Sequence, residues 1–357
     1  MSKDTTITAI MPAYNASTVL RQSLSALLEL CRRGQISEVI LVDDGSTDGT
    51  PDIAASLGAR VIATGGRCGP AAARNLGAAN AQGNILWFVD ADVIAANDAA
   101  ERIRHILAER VLAEGVVAVF GSYDNSPPAR NFLSQYKNLV HHHYHQMGRR
   151  NASTFWAGCG AVWKDAFLKV GGFNASRYPR PSIEDIDLGY NLRAAGGQIQ
   201  LAPEIQGTHL KVWTLKGLLV TELRDRAIPW AMLLLSRAEV GNDLNVAMTE
   251  RVRAFIACLL CLVTLTSLAG VTSWWLAAIL LCMAFVSNLE LLSVFMRANG
   301  LLFAIRGLLF HQFYYLYSSA TYCGCWAATM AGGLLKKSSS VKDAQAVDLE
   351  SEPSRVK

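Results

Sequence analysis

From Ala254 to Leu289 the chain lacks any Asp, Glu, Lys or Arg, 36 positions in succession, and this excludes a wholly water-facing protein. Charge of one sign is also lacking. Lys plus Arg number 33 against 29 Asp plus Glu, a net charge of +4, too slight and dispersed for nucleic-acid binding. The eight cysteines show no paired spacing, which excludes a secreted disulfide framework and fits a reducing cytosolic setting. The turn after the first apolar run, Pro12–Ser17, carries no glycine-rich phosphate loop, so a dinucleotide-dependent oxidoreductase is excluded. Nor do the opening residues resemble a secretory signal, since 1–8 are polar and the apolar run behind them is short; the first 250 residues are expected to stay in the cytosol.

What is present divides the 357 residues, 51% of them hydrophobic, unevenly. A bilayer crossing needs about 20 apolar residues, so the uncharged run predicts two helices, Ala254–Thr272 and Ser273–Met296, with Trp274 and Trp275 at an interface. A second uncharged stretch, Gly307–Leu334, predicts a third crossing, with Leu301–Leu309 as an interfacial lead-in. Arg251, Arg253, Arg297 and Arg306 place both flanking connections on the cytoplasmic side, so three crossings put the tail outside, whereas Lys336 and Lys337 argue for an inside tail; the third segment is a crossing, re-entrant or interfacial. Leu215–Leu235 mixes charges with leucines as an interfacial amphipathic helix does. The expected organisation is a soluble domain over 1–213, interfacial helices over 214–250, about three membrane helices over 251–335, and a disordered tail over 336–357.

In the soluble part, strands are predicted at Ile7–Pro12, Val39–Val42, Arg60–Ala63 and Ile85–Val89, with helices at Thr18–Arg32, Asp48–Leu57 and Ala71–Ala81 between them. Alternation of this kind predicts an α/β fold with a mostly parallel sheet, whose ligands bind beyond the strand carboxyl ends. Two of those ends are acidic: Val39–Val42 runs into Asp43 and Asp44, and Ile85–Val89 into Asp90 and Asp92. Carboxylates at i and i+2 after a buried strand repel one another unless a cation or donor groups compensate. The same acids could serve only as turn and helix-cap residues.

The motifs Met11–Asn15, Val42–Thr50, Ala73–Gly77 and Phe88–Asp92, followed by Trp156–Gly160 and Ile183–Leu188, occur in that order. Together they resemble inverting family-2 glycosyltransferases with the GT-A fold and extend over Ile7 to about Trp230. The resemblance implies a nucleotide-sugar donor, a divalent Mg²⁺ or Mn²⁺ ion, and Asp185 as the base that takes the acceptor's proton, with Glu184 orienting it. It places Pro12, Tyr14, Asp43, Asp44, Arg74 and Asp90 at the donor, Asp44 accepting from a uracil-type ring N–H. Asp92 with Asp90 would hold the metal, and His209 is a further candidate ligand. Each has a plainer reading: Ser182 could cap a helix whose first turn holds Glu184 and Asp185, and Arg74 could be a solvated charge.

The run His141–His145 is read as an acceptor-facing or interfacial surface, because neighbours at i, i+1 and i+2 on a helix diverge. The segment Arg224–Trp230 only loosely resembles the Gln-x-x-Arg-Trp motif of processive synthases, and its glutamine is missing. The resulting expectation is a multi-pass enzyme of the inner (cytoplasmic) membrane, its catalytic domain cytoplasmic. It would move a sugar from a uridine-linked donor to a lipid or membrane-proximal glycan acceptor, in glycolipid, cell-envelope or exopolysaccharide synthesis. Transfer to a polyprenyl phosphate and non-catalytic sensing of nucleotide sugars are the alternatives.

Overall fold

The computed structural model describes residues 5–236 and 244–350, without the side chains of 111–113, 245 and 332–350. Its first half alternates β1 (Ile7–Ala13), α1 (Leu20–Arg32), β2 (Glu38–Asp43), α2 (Thr50–Ser56), β3 (Arg60–Ala63), α3 (Pro70–Asn80) and β4 (Ile85–Val89). Strands β3, β2, β1 and β4 lie side by side and parallel. Apart from Pro12 at the end of β1, every residue of β1 and β4 is buried. Such strands, covered by helices on both faces, read as continuous apolar runs, and that is why their bounds were visible in the sequence.

The sheet continues through β5 (Val93–Ala95), β6 (Val116–Tyr123), β7 (Asn151–Ala152), β8 (Cys159–Trp163) and β9 (Gln198–His209), separated by α4 (Ala99–Glu114), α5 (Phe132–Met147), α6 (Lys164–Lys169) and α7 (Glu184–Ala194). Here the expectation of a mostly parallel sheet needs correction. Strand β8 runs antiparallel to both β4 and β6, and β9 is parallel to β6 but antiparallel to β5 and β7. The sheet is mixed, because β8 enters it between two strands that point the other way, with order β3-β2-β1-β4-β8-β6-β9-β5.

Beyond the sheet come α8 (Leu215–Val220), a π-helical segment (Thr221–Ala227) and α9 (Ile228–Ser236), then α10 (Met248–Leu268), α11 (Trp274–Ser287) and α12 (Leu289–Glu350). Two of these, Met248–Leu268 and Leu289–Ala331, are long and apolar enough to cross a membrane. Only 17% and 28% of their most apolar windows are buried within the protein, which argues against core helices of a water-soluble fold. The second expected crossing is shorter than foreseen. Its helix stops after 14 residues, about 21 Å at 1.5 Å per residue, because buried Asn288 closes it: Nδ2 donates to Ala284 O at 2.9 Å and Oδ1 accepts from the Tyr315 hydroxyl at 3.0 Å.

Trp274 and Trp275 stand exposed at the start of α11. Helix α12 is broken at Gly300, whose φ of 79° is one that side-chain-bearing residues rarely adopt. The expected interfacial lead-in forms the start of its second arm, where Ala304 and Leu308 pack against Tyr136, Leu139 and Val140 of α5. The catalytic-side domain and the apolar helices thus share a core. The tail expected from residue 336 falls on undescribed side chains and on 351–357, outside the described residues.

Candidate active site

The turns after β1 and β2 are stitched together by side chains. Asn15, at φ 50°, accepts from Thr47 N at 2.8 Å, and its own N–H donates to Ser46 Oγ at 3.0 Å. Asp48 accepts from the Thr50 hydroxyl at 2.5 Å, Thr50 N at 3.0 Å and Ser17 N at 3.2 Å, and despite its partial burial these bonds, the Thr50 hydroxyl first, hold its carboxyl down at about 2. Asp44 is held more tightly still: Oδ1 accepts from Cys68 N at 2.8 Å and Thr64 Oγ1 at 3.2 Å, and Oδ2 from Gly69 N at 2.9 Å. A carboxylate has about four acceptor positions, so Asp44 keeps room for one more donor. Asp43 is different. Its carboxylate accepts from Ser46 N at 3.3 and 3.4 Å, bracing the end of β2, and it is not on the cavity wall described below.

At the end of β4, Asp90 and Glu184 share one guanidinium. Arg74 Nη2 lies 2.7 Å from Asp90 and Nη1 2.8 Å from Glu184. Arg74 is therefore not the solvated charge of the plainer reading: it is buried and pairs with two acids. Burial, with Asp92 and Glu184 adding to it and Arg74 opposing, lifts the Asp90 carboxyl above the usual range. Asp92 moves the other way, because His209 and Lys211 outweigh its burial. His209 Nε2 stands 3.5 Å from Asp92 Oδ2, and its ring stacks on Tyr123 with centroids 4.2 Å apart. Among the described residues no three His, Cys, Asp or Glu side chains already form a metal-holding cluster. Two carboxylates and one imidazole nevertheless make a donor set that suits Mg²⁺ or Mn²⁺, and the mutual repulsion expressed at Asp90 is what a cation would relieve.

Helix α7 opens with the acids of the Glu-Asp motif. Ser182 does not cap it; instead Glu184 Oε2 accepts from Ser182 N at 2.9 Å, while Ser182 Oγ donates to Asp225 O at 2.7 Å. Asp185 accepts from Ala157 N at 3.1 Å and from Ile186 N at 2.8 Å. Burial and the neighbouring Glu184 push its carboxyl up to about 6. A carboxylate so poised is ionised at neutral pH yet basic enough to accept a proton.

Pro12, Tyr14, Asp44, Arg74, Asp90, Asp92, Glu184 and Asp185 line a single cavity of about 1020 Å³. His209 is not on its wall and reaches it through Asp92. Sequence reasoning missed a second set of lining residues, Lys137, Glu222 and Arg226. Lys137 Nζ lies 2.6 Å from Glu222 Oε1, Tyr317 donates to Glu222 Oε2 at 3.0 Å, and Arg226 Nη1 is 3.8 Å from Glu222. Arg226 also faces Asp185 and Tyr123. The one available signal was the incomplete motif around Arg226. In the His141–His145 run, His142 and His145 bond the carbonyls of Tyr123 and Gly121, and burial holds His143 and His145 down at about 4. His141 and His145 of this run also line the cavity.

Residues 8–171 match the family model for Glycosyl transferase family 2. An uncharacterized glycosyltransferase of Haemophilus influenzae is 36% identical over 122 residues, 33% of this chain and 46% of that protein. The succinoglycan biosynthesis protein ExoO of Rhizobium meliloti is 34% identical over 117 residues, 32% of each chain. These matches span less than half the length of the curated relatives. The mannosyltransferase PcManGT of Pyrobaculum calidifontis, solved with GDP-Man and Mn²⁺, superposes with a TM-score of 0.59 at 18% identity, covering 89% of this chain and 86% of that one. Residues 8–171 are thus similar to family 2 glycosyltransferase domains, and the fold is GT-A.

Proposed function

We propose that a family 2 glycosyltransferase domain joined to apolar helices makes this protein a membrane-anchored inverting glycosyltransferase, which moves a sugar from a nucleotide donor to a lipid-linked or membrane-proximal acceptor. The observation that carries this reading is the convergence of Asp44, Asp90, Asp92 and Asp185 on one cavity. The remaining acceptor position of Asp44 takes a ring N–H of the base, as uracil offers, with Tyr14 beside it. Arg74 holds Asp90 and Glu184 in fixed relation. Asp92, with Asp90 and with His209 behind it, would hold Mg²⁺ or Mn²⁺, which when bound would neutralise charge on the leaving diphosphate.

Asp185 removes the proton as the acceptor hydroxyl forms its bond to the anomeric carbon and the bond from that carbon to the diphosphate oxygen breaks. Ala157 N–H and Ile186 N–H fix which way the carboxylate points. The apolar helices α10 and α12 would keep the domain at the cytoplasmic face of the inner membrane, where glycolipid, cell-envelope and exopolysaccharide acceptors are assembled. A second reading, transfer to a lipid phosphate, draws support from Lys137, Lys211 and Arg226 on the cavity wall. Such an acceptor is already ionised and needs no base.

Purified protein given uridine- and guanosine-linked sugars with Mg²⁺ or Mn²⁺ is expected to release nucleoside diphosphate, fastest with a uridine donor. Asp185→Asn separates the two acceptors, a near-complete loss of transfer marking a hydroxyl and a mild loss a phosphate. Metal-dependent donor binding with no turnover across many acceptors would instead identify a sensor.

A further inference from the structure

The cavity does not end at the acids. Beyond Glu222 and Arg226 its wall passes to Phe255 and Cys258 of α10 and to Tyr314, Tyr322 and Cys323 of α12. At about 1020 Å³ it reaches the top of the range of about 300–1,000 Å³ typical of small-molecule pockets, although only one end carries the acids that a nucleotide sugar would meet. Several residues of the far wall also face outward: Phe255 is 68% exposed and Tyr322 41%, and Cys323 is exposed too. A residue that both lines a cavity and stands exposed marks its rim. The mouth at this end therefore opens between α10 and α12, among the exposed apolar side chains of those helices, Leu262, Leu265 and Leu268 included.

Polar groups at this end are already paired with one another. Glu250 Oε2 accepts from the Tyr144 and Tyr315 hydroxyls at 2.8 Å each, and Oε1 pairs with Arg253. His311 bonds the Tyr136 hydroxyl at 2.8 Å and the Tyr144 hydroxyl at 3.3 Å. With these groups paired internally, and Phe255, Cys258, Tyr322 and Cys323 beside them, this wall offers a ligand chiefly apolar surface. From the continuity of that surface with the acid-lined end we infer that the cavity between α10 and α12 holds the hydrocarbon chain of the acceptor lipid, admitted sideways from the bilayer, with its polar end at Asp185 and Arg226. This deepens the reading of the site as a transferase and rests on it.

The test uses the full chain in phosphatidylcholine nanodiscs. Trace amounts of a long-chain alcohol, or of the corresponding alkyl phosphate, carry a photoactivatable diazirine in the tail, and tail-labelled phosphatidylcholine serves as the bulk-lipid comparison. After irradiation, peptides covering residues 254–258 and 314–323 are expected to be marked by the alcohol or the phosphate about tenfold more than by the bulk lipid. Leu262–Leu268 should be marked alike by all three. Cys258→Trp should bring the cavity labelling down to the bulk level, and Cys323→Trp at the rim does the same if the first variant fails to fold. Equal marking of cavity and outer face by every lipid, or undiminished marking in folded Cys258→Trp, overturns the inference. No donor is needed for labelling, so lack of sugar transfer by a protein that takes up the chain would count against the transferase reading alone. Equal transfer to tailed and tail-less acceptors would count against the chain site alone.

Discussion

At the acid-lined end of the cavity Asp185 accepts from two backbone N–H groups, Asp44 from two more and a threonine hydroxyl, and Asp90 and Glu184 share the Arg74 guanidinium. At the membrane end Glu222 and Glu250 accept instead from tyrosine hydroxyls, and Glu222 pairs with Lys137 of α5 while Glu250 pairs with Arg253 of its own helix. Both ends bury acids, yet they hold them differently. Backbone donors are set in place by the sheet and its turns, so the first group is aimed before any ligand arrives, which is what electrostatic preorganisation requires. Side-chain donors from α5, α10 and α12 make the second group a clasp between helices. One end presents acids fixed by the sheet and its turns, and the other ties helices to one another.

Variants can break this comparison. The largest effect is expected from Asp185→Asn, which should lower turnover by roughly three to four orders of magnitude if Asp185 is the base, with donor affinity by calorimetry unchanged. Arg74→Ala comes next. It leaves Asp90 and Glu184 without their shared cation, so a loss of about 3 kcal/mol in unfolding free energy is expected, read from thermal or denaturant unfolding, together with loss of activity. At the membrane end Glu250→Gln should cost less, about 2 kcal/mol for weakened charge-assisted bonds, and should spare donor binding.

The smallest effect is the pH response. Because burial and Glu184 push Asp185 up to about 6, the rate should fall about tenfold per unit below that value and level off above it. The same group has the opposite effect on folding. Its raised pKa means that the folded chain binds the proton more tightly, so this contribution to stability is present in acid and lost as pH rises from about 4 to about 6. Asp185→Asn should abolish both dependences, and a rate profile in that variant identical to wild type would remove Asp185 from the chemistry.

Strands β1, β2 and β4 could be read from the sequence because their apolar runs are local and buried on both faces, whereas β3 has no buried residue. The acids at their ends could be read as well, since Asp44, Asp90, Asp92 and Asp185 each sit in a short recognisable string. What each acid touches could not be read. The partners of Asp44 lie 20 to 25 residues away, and Arg74 meets Glu184 across 110 positions. Pairing at such distances depends on the completed sheet, and no periodicity encodes it. The same holds for Lys137 and Glu222, which are brought together by a helix of one domain and a π-helical turn of another segment. The early end of α11 escaped notice because Asn288 is uncharged and its tie to Tyr315 is tertiary.

Gly69 lies between the base pocket and the reacting end. Its φ is 90°, and a Cβ there would stand 2.4 Å from the carbonyl oxygen of Pro179, three residues before Ser182, whose N–H is held by Glu184. Its own N–H is held by Asp44. Two loops that meet backbone to backbone cannot slide independently, so whatever settles against Asp44 also steadies the start of the helix bearing Asp185. Turnover on such a frame would proceed in a compulsory sequence, donor entering ahead of acceptor and spent nucleotide departing last, and steady-state inhibition by nucleoside diphosphate would be competitive toward the donor and noncompetitive toward the acceptor.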